Sequence, residues 1–168
     1  MYEGVFMRKM VLSLLVRNEA GVASRISALF TRRGYSMESI TGGVTEDVSI
    51  SRLTVVVSGE EEVLEQVTKQ LAKLDDVIEI EELEADNSVC RELILVRVAV
   101  NEIQRPEVVA VANIFRANVV DVSKESLMIE LTGNKSKLDA FLELLRGYEI
   151  LGIARTGITG LFRGKHVN

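Results

Sequence analysis

Leu53, Val55, Val57, Gly59, Leu64 and Leu71 recur as Leu127, Ile129, Leu131, Gly133, Leu138 and Leu145, each pair 74 positions apart. Alternating apolar residues, a glycine, then apolar residues at helical spacing read as a strand, a turn and an amphipathic helix. Two copies of that frame in 168 residues restrict the chain to a tandem of similar small units, each with its own core. Hydrophobic residues make up 47% of the chain, enough for two cores; aromatics are 5% and Trp is absent, so both cores are aliphatic.

The rest of the chain fills in the frame. Met10 to Val16 is apolar on both faces and predicts a central strand. Val22, Ala23, Ile26, Leu29 and Phe30 predict a helix that ends at Arg32–Arg33, where cations suit the dipole, before Gly34. Tyr35 to Val44 predicts a second strand, in which Gly42–Gly43 suggests a bulge or a backbone left bare for a ligand or another chain. Ser49 to Ser58 is the third strand. Glu60 to Glu62 open a helix with the stripe Val63, Leu64, Val67, Leu71 and Leu74, and Val77 to Ile80 is the fourth strand. After the acidic run Glu81 to Ser88 the pattern restarts: a strand from Arg91 to Val100, a helix with Pro106 at its first position, strands at Val119 to Ser123 and Leu127 to Thr132, a helix after Asn134, and a strand from Ile150 to Ile158. The tail from Gly160 reads as frayed. The expected class is α+β, two tandem ferredoxin-like (βαββαβ) domains, with domains at 8–84 and 91–164 joined by a linker at 85–90.

Net charge is −5, against sequence-independent binding of nucleic acid or of an anionic membrane. Met1 to Met7 lacks the pattern of a signal peptide, Met7 offers an alternative start, and no apolar run approaches membrane-spanning length. The one cysteine, Cys90, forms no intrachain disulfide, which makes the cytoplasm the simplest compartment. Cys90 and the single histidine, His166, do not make a zinc site by themselves. Cys90 reads as a small packed residue and His166 as a solvated one.

One loop combines features that suit a small ligand. Asn18-Glu19-Ala20-Gly21-Val22 joins the first strand to the first helix. A glycine there lets backbone approach closely, and the helix start offers unbonded N–H groups and the positive end of a dipole to a carboxylate. The Asn18 amide can bond a second polar group. The same residues also suit a plain turn. Of three functions open to such a fold, RNA binding needs stacking aromatics, and the third strand (Arg52 to Val57) has none. An acylphosphatase-like hydrolase needs an Arg in a phosphate loop; Arg17 and Asn18 are present, but Glu19 repels phosphate. A non-catalytic sensor of a small amino acid needs no acid–base or metal cluster, and none is evident.

The motifs Asn18-Glu19-x-Gly21-Val22, Arg25-Ile26-x-x-Leu29-Phe30-x-x-Arg33-Gly34-Tyr35 and Glu38-Ser39-Ile40 resemble the ACT domain of acetolactate synthase small regulatory subunits. Ser51-Arg52, Lys69-Gln70-Leu71, Arg91-Glu92-Leu93, Ile114 to Ala117, Lys137 to Phe141 and Ala154 to Gly157 are similar to the same family. The resemblance implies a non-catalytic regulatory subunit for the first step of valine, leucine and isoleucine synthesis. Its catalytic large subunit would carry thiamine diphosphate, Mg2+ and FAD. This chain would bind no cofactor, raise the activity of that partner and confer feedback inhibition by valine. The resemblance also implies a homodimer paired edge to edge through the ACT domains, with valine at the interface. Asn18, Gly21 and Val22 would come from one chain and Ser36, Met37, Ile40 and Thr41 from the other. Many valine-sensitive relatives carry Asn where Ser36 stands here; one lost neutral hydrogen bond is worth about 1 kcal/mol, roughly fivefold in affinity. The second domain lacks a glycine in the matching loop (Asn101 to Pro106) and is expected to dimerise and contact the large subunit. A freestanding ACT sensor of another enzyme or of transcription is the alternative.

Overall fold

A computed structural model describes residues 6–164. His166 and the first five residues, on which the start-site and signal-peptide readings bear, lie outside the described residues. The chain divides into two compact units, one made of Met1–Cys90 with Ile158–Asn168 and one of Arg91–Gly157.

In the first unit, β1 (Arg8–Arg17), α1 (Val22–Arg33), β2 (Ser36–Val44), β3 (Ile50–Gly59), α2 (Glu61–Ala72) and β4 (Val77–Glu82) follow the expected order. The antiparallel sheet runs β2-β3-β1-β4, so the strand that is apolar on both faces is indeed interior. Leu12, Leu14, Leu53, Val55 and Val57 bury one sheet face against Ile26, Phe30, Leu64, Val67 and Leu71 of the helices. Gly34 ends α1 at φ 67°, and its N–H and that of Tyr35 bond the last-turn carbonyls of Thr31 and Phe30. The expected bulge at Gly42–Gly43 is not there: those residues pair in register with Leu53 and Arg52, and the register shifts between Met37 and Ser39 instead. Gly42 is needed for packing, since a Cβ would come 2.3 Å from Leu53 Cδ2.

The second unit repeats the plan with β5 (Ser88–Ala99, its first three residues still in the first unit), α3 (Gln104–Ile114), β6 (Asn118–Val122), β7 (Ser126–Gly133), α4 (Lys135–Leu144) and β8 (Ile150–Arg155), in the order β6-β7-β5-β8. The repeated positions are equivalent in place as well as in type: Leu127, Ile129, Leu131, Leu138 and Leu145 are all buried, as are their counterparts. Gly59 and Gly133 each lie against the residue four further on, Val63 and Lys137, with no room for a Cβ at the ordinary distance. Pro106 is the third residue of α3, not the first; the Asn101 side chain accepts from the N–H groups of Ile103 and Gln104 and starts the helix earlier. Asn134 caps α4, accepting from Lys137 N at 2.9 Å.

Two further expectations change. The last strand stops at Arg155, and the tail is not frayed as far as Phe162, because Thr159–Phe162 forms a ninth strand, β9, paired with β5. The polar stretch after β4 is held as well: Leu83 is buried and its N–H bonds Val11 O, while Glu84 N bonds the Asn87 side chain. Cys90 is half-buried, its Sγ 3.9 Å from Ser88 Oγ.

Candidate functional site

The loop between β1 and α1 closes on Gly21, whose φ of 86° and ψ of −4° put it in the left-handed region. Gly21 O accepts from Arg25 N at 2.9 Å, so Gly21 is the N-cap of α1, and no side chain among the described residues caps that end. The first N–H groups of α1 therefore face outward with the dipole's positive end behind them.

Asn18 is held in place from both ends of its amide. Its Nδ2 donates to Val48 O at 2.9 Å, its Oδ1 accepts from Ser51 Oγ at 3.1 Å, and its backbone N–H donates to Ser49 O at 2.8 Å. The β2–β3 hairpin is thereby clasped to the loop. One amide N–H and one lone pair of Asn18 remain for another group. The hairpin turn is itself tied by Asp47, which accepts from the Ser49 hydroxyl and, at 2.9 Å, from Ser49 N. These bonds, the hydroxyl's foremost, hold the Asp47 carboxyl below its usual range. A carboxyl with a lowered folded pKa adds stability that is fully present above the unfolded value, about 4, and is lost as pH falls through the folded value. The Ser49 amide resonance is therefore expected to titrate below pH ~4, and Asp47→Asn to remove that titration; a Ser49 signal flat from pH 5 to 2 would contradict the assignment.

Arg25 stands over the mouth. Its Nη1 lies 3.0 Å from where a Cβ on Gly21 would be, and its Nε donates to Asp76 Oδ2 at 2.6 Å. That bond, with the charges of Asp76 and Glu19, raises its pKa further against the opposing effect of burial. Asp76 also accepts Arg17 N on its backbone carbonyl at 2.9 Å, so the turn before β4 braces the loop from the far side. Neither Arg25 nor Asp76 has a spacing signal in the sequence. Only the packing of that turn beside α1 brings them together.

The seven candidate residues do not converge within one chain. Val22 is buried in the core at 4% exposure. Met37 and Ile40 pack on that core from β2. Register places Ser36 opposite Ser58, which pairs with Lys9, whereas Asn18 follows the other end of β1. Nine residues of strand separate those levels, about 30 Å. Thr41 is opposite Thr54, on the face away from the helices, and its hydroxyl donates to Ile158 O at 2.9 Å. Ser36 Oγ is 3.5 Å from Ser58 Oγ. The outer edge of β2 has no strand partner among the described residues. An exposed edge is a template for pairing. A two-fold antiparallel pairing centred on Ile40 would set a partner's residue 36 beside Val44, next to Ser51 and hence Asn18. Two open grooves elsewhere, about 220 Å³ beside Arg8 and about 250 Å³ on the second sheet, include no residue of this loop. No group of acidic, His or Cys side chains that could hold a metal occurs among the described residues. Nor is any described helix long and apolar enough to cross a membrane.

Residues 12–79 match the family model described as the AHAS small subunit-like ACT domain. The fold and this match define a regulatory, ACT-containing protein, a class whose domains take amino-acid effectors. Residues 91–164 match the model described as the small subunit of acetolactate synthase. The chain is 48% identical to the probable acetolactate synthase small subunit of Methanothermobacter thermautotrophicus, over 92% of each chain. It is 50% identical to the acetolactate synthase small subunit of Mycolicibacterium smegmatis, over 91% of this chain and 90% of that one. The crystal structure of the Thermotoga maritima acetolactate synthase small subunit superposes with a TM-score of 0.87 at 38% identity, covering 95% of this chain and 99% of that one. The chain belongs to the acetolactate synthase small subunit family, and a catalytic large subunit is the partner that membership implies.

Proposed function

We propose that this chain is the non-catalytic regulatory subunit of acetolactate synthase in branched-chain amino-acid synthesis, activating the large subunit and making it sensitive to valine. The observation that carries the reading is the uncapped start of α1 at Gly21, flanked by the half-committed amide of Asn18 and the guanidinium of Arg25. Backbone N–H groups and a cation suit a carboxylate, and the amide's spare donor and acceptor suit a second polar group of the same molecule. An aliphatic side chain would lie against Met37 and Ile40 of a second copy paired through β2. Val22 supports the pocket from the core. Ser36 comes from the same strand and sets its polar margin, while Thr41, on the opposite face, ties that strand to Ile158.

Valine held across two copies stabilises one register or stiffness of the β2 pair. The large subunit works best with another, so valine shifts the population and lowers activity. A differential affinity of about 1–3 kcal/mol suffices, roughly 5- to 150-fold. The decisive test is acetolactate formation by the large subunit, with thiamine diphosphate, Mg2+ and FAD supplied, with and without this chain, across a valine titration. Addition of the chain is expected to raise the rate several-fold and valine to reverse the gain. A rate indifferent to the chain removes the activating role, and a rate indifferent to valine removes the effector.

A further inference from the structure

The sheet face of the first unit that points away from α1 and α2 is closed. Ser13, Thr54 and Val56 alternate onto that face and are only 2%, 1% and 2% exposed. The chain's own C-terminal segment lies there: β9 packs against β3, and Ile158 O accepts the Thr41 hydroxyl at 2.9 Å. Gly160 is buried so tightly that a Cβ would stand 2.7 Å from Cys90 Sγ, 2.8 Å from Leu83 Cδ1 and 3.0 Å from Val89 O. Arg163 pins the end, its N–H donating to Asn87 O at 2.8 Å and its Nε to Ser88 O at 3.1 Å.

The connectivity matters more than the cover. The segment follows β8 of the second unit through Thr156 and Gly157, the latter at φ 84°. From Ile158 onward the chain belongs to the first unit. One end of this short strap is therefore continuous with an edge strand of the second sheet. The first residue after that junction, Ile158, is bonded to β2, the edge strand of the first sheet, and the buried β9 beyond it anchors the strap. Interiors packed this closely shift between discrete arrangements and do not deform smoothly.

We propose that the strap Ile158–Phe162 couples the amino-acid site to the second unit. A change in β2 moves Thr41, Thr41 moves Ile158, whose position the buried β9 anchors, and Gly157 and Thr156 pass the displacement to β8. This rests on the reading that valine is held along β2. Loosening the strap would leave valine bound but uncouple it from the catalytic partner.

Two substitutions loosen it without touching residues assigned to the valine site. Gly160→Val forces a branched side chain against Cys90, Leu83 and the Val89 carbonyl. Arg163→Ala, at an exposed position, removes only the bond to Ser88 O. Each is made in the full chain assembled with the large subunit. Valine binding is read by calorimetry, inhibition by acetolactate formation, and strap release by amide exchange of residues 159–163. Both variants are expected to bind valine within about threefold of the parent. The half-inhibitory valine concentration should rise about tenfold or inhibition disappear, in step with faster exchange in β9. Faster exchange with an unchanged inhibition curve overturns the coupling and leaves the valine site standing. Exchange unchanged in both variants overturns the packing argument, and the coupling with it. A parent chain that binds no valine overturns the site reading and the coupling together.

Discussion

Gly21→Val is expected to abolish valine binding while the first unit stays folded. The backbone at Gly21 has φ 86°, a region that costs an ordinary L-residue about 1–2 kcal/mol and a β-branched one more. The new Cβ would stand 3.0 Å from Arg25 Nη1, against a guanidinium already held by Asp76. Its methyl groups would cover the first N–H groups of α1, where a carboxylate would otherwise rest. A domain stable by about 5–15 kcal/mol tolerates the strain, but a blocked receptor does not tolerate the volume. Calorimetry should find valine affinity reduced by more than about a hundredfold, beyond 2.7 kcal/mol. Circular dichroism should match the parent. Gly21→Ala, with the same φ penalty and less volume, should fall between the two. Wild-type affinity in the valine variant would mean that the helix start is only a turn.

The largest effect on stability is expected from Phe141→Ala in the second unit. Phe141 is fully buried and meets Phe115 edge-on, with centroids 5.4 Å apart and planes at 66°. It is the largest of the fully buried side chains, in a core otherwise made mostly of Leu, Ile, Val and Ala. Truncation removes its transfer energy and leaves a cavity that β-branched neighbours cannot refill, at a cost of about 3–5 kcal/mol. A unit this small has a margin of the same order. Its melting transition should therefore drop by at least about 12 °C, at about 4 °C or more per kcal/mol. Amide protection should be lost in β5–β8 before β1–β4. A drop below about 4 °C would show that the site collapses around the missing ring.

The parts of this molecule readable in advance share one property: their information is short-range. The strand–glycine–helix repeat is legible because Leu53, Val55 and Val57 alternate and Leu64 and Leu71 fall one helical face apart. Helix α1 keeps the expected bounds because Gly34 and the Arg32–Arg33 pair stop it locally. Where local signals competed, the structure chose otherwise. Gly42–Gly43 signals a bulge, yet a β-bulge formed at the other end of β2, where a shift in register lets both Met37 and Ile40 face the core. Pro106 signals the first position of a helix, yet Asn101 offers two bonds and moves the start back.

The candidate loop was identifiable from Asn18 and Gly21, since a left-handed glycine before an amphipathic run is a local motif. What surrounds the loop was not. Asn18 joins Val48 and Ser51 across 30 and 33 positions, Arg25 joins Asp76 across 51, and Thr41 joins Ile158 across 117.

The amino-acid sequence alone determined two aliphatic units of one plan, the helices and strands of each repeat, and a strand-to-helix loop that turns on Gly21. Tertiary structure alone decided that Asn18 clasps a hairpin, that a cation stands over Gly21, and that the tail returns to seal the far face of the first sheet. Periodicity and turn chemistry act between near neighbours and leave a mark in spacing. A hydrogen bond between distant strands depends on which faces the folded sheet brings together, and no spacing records that.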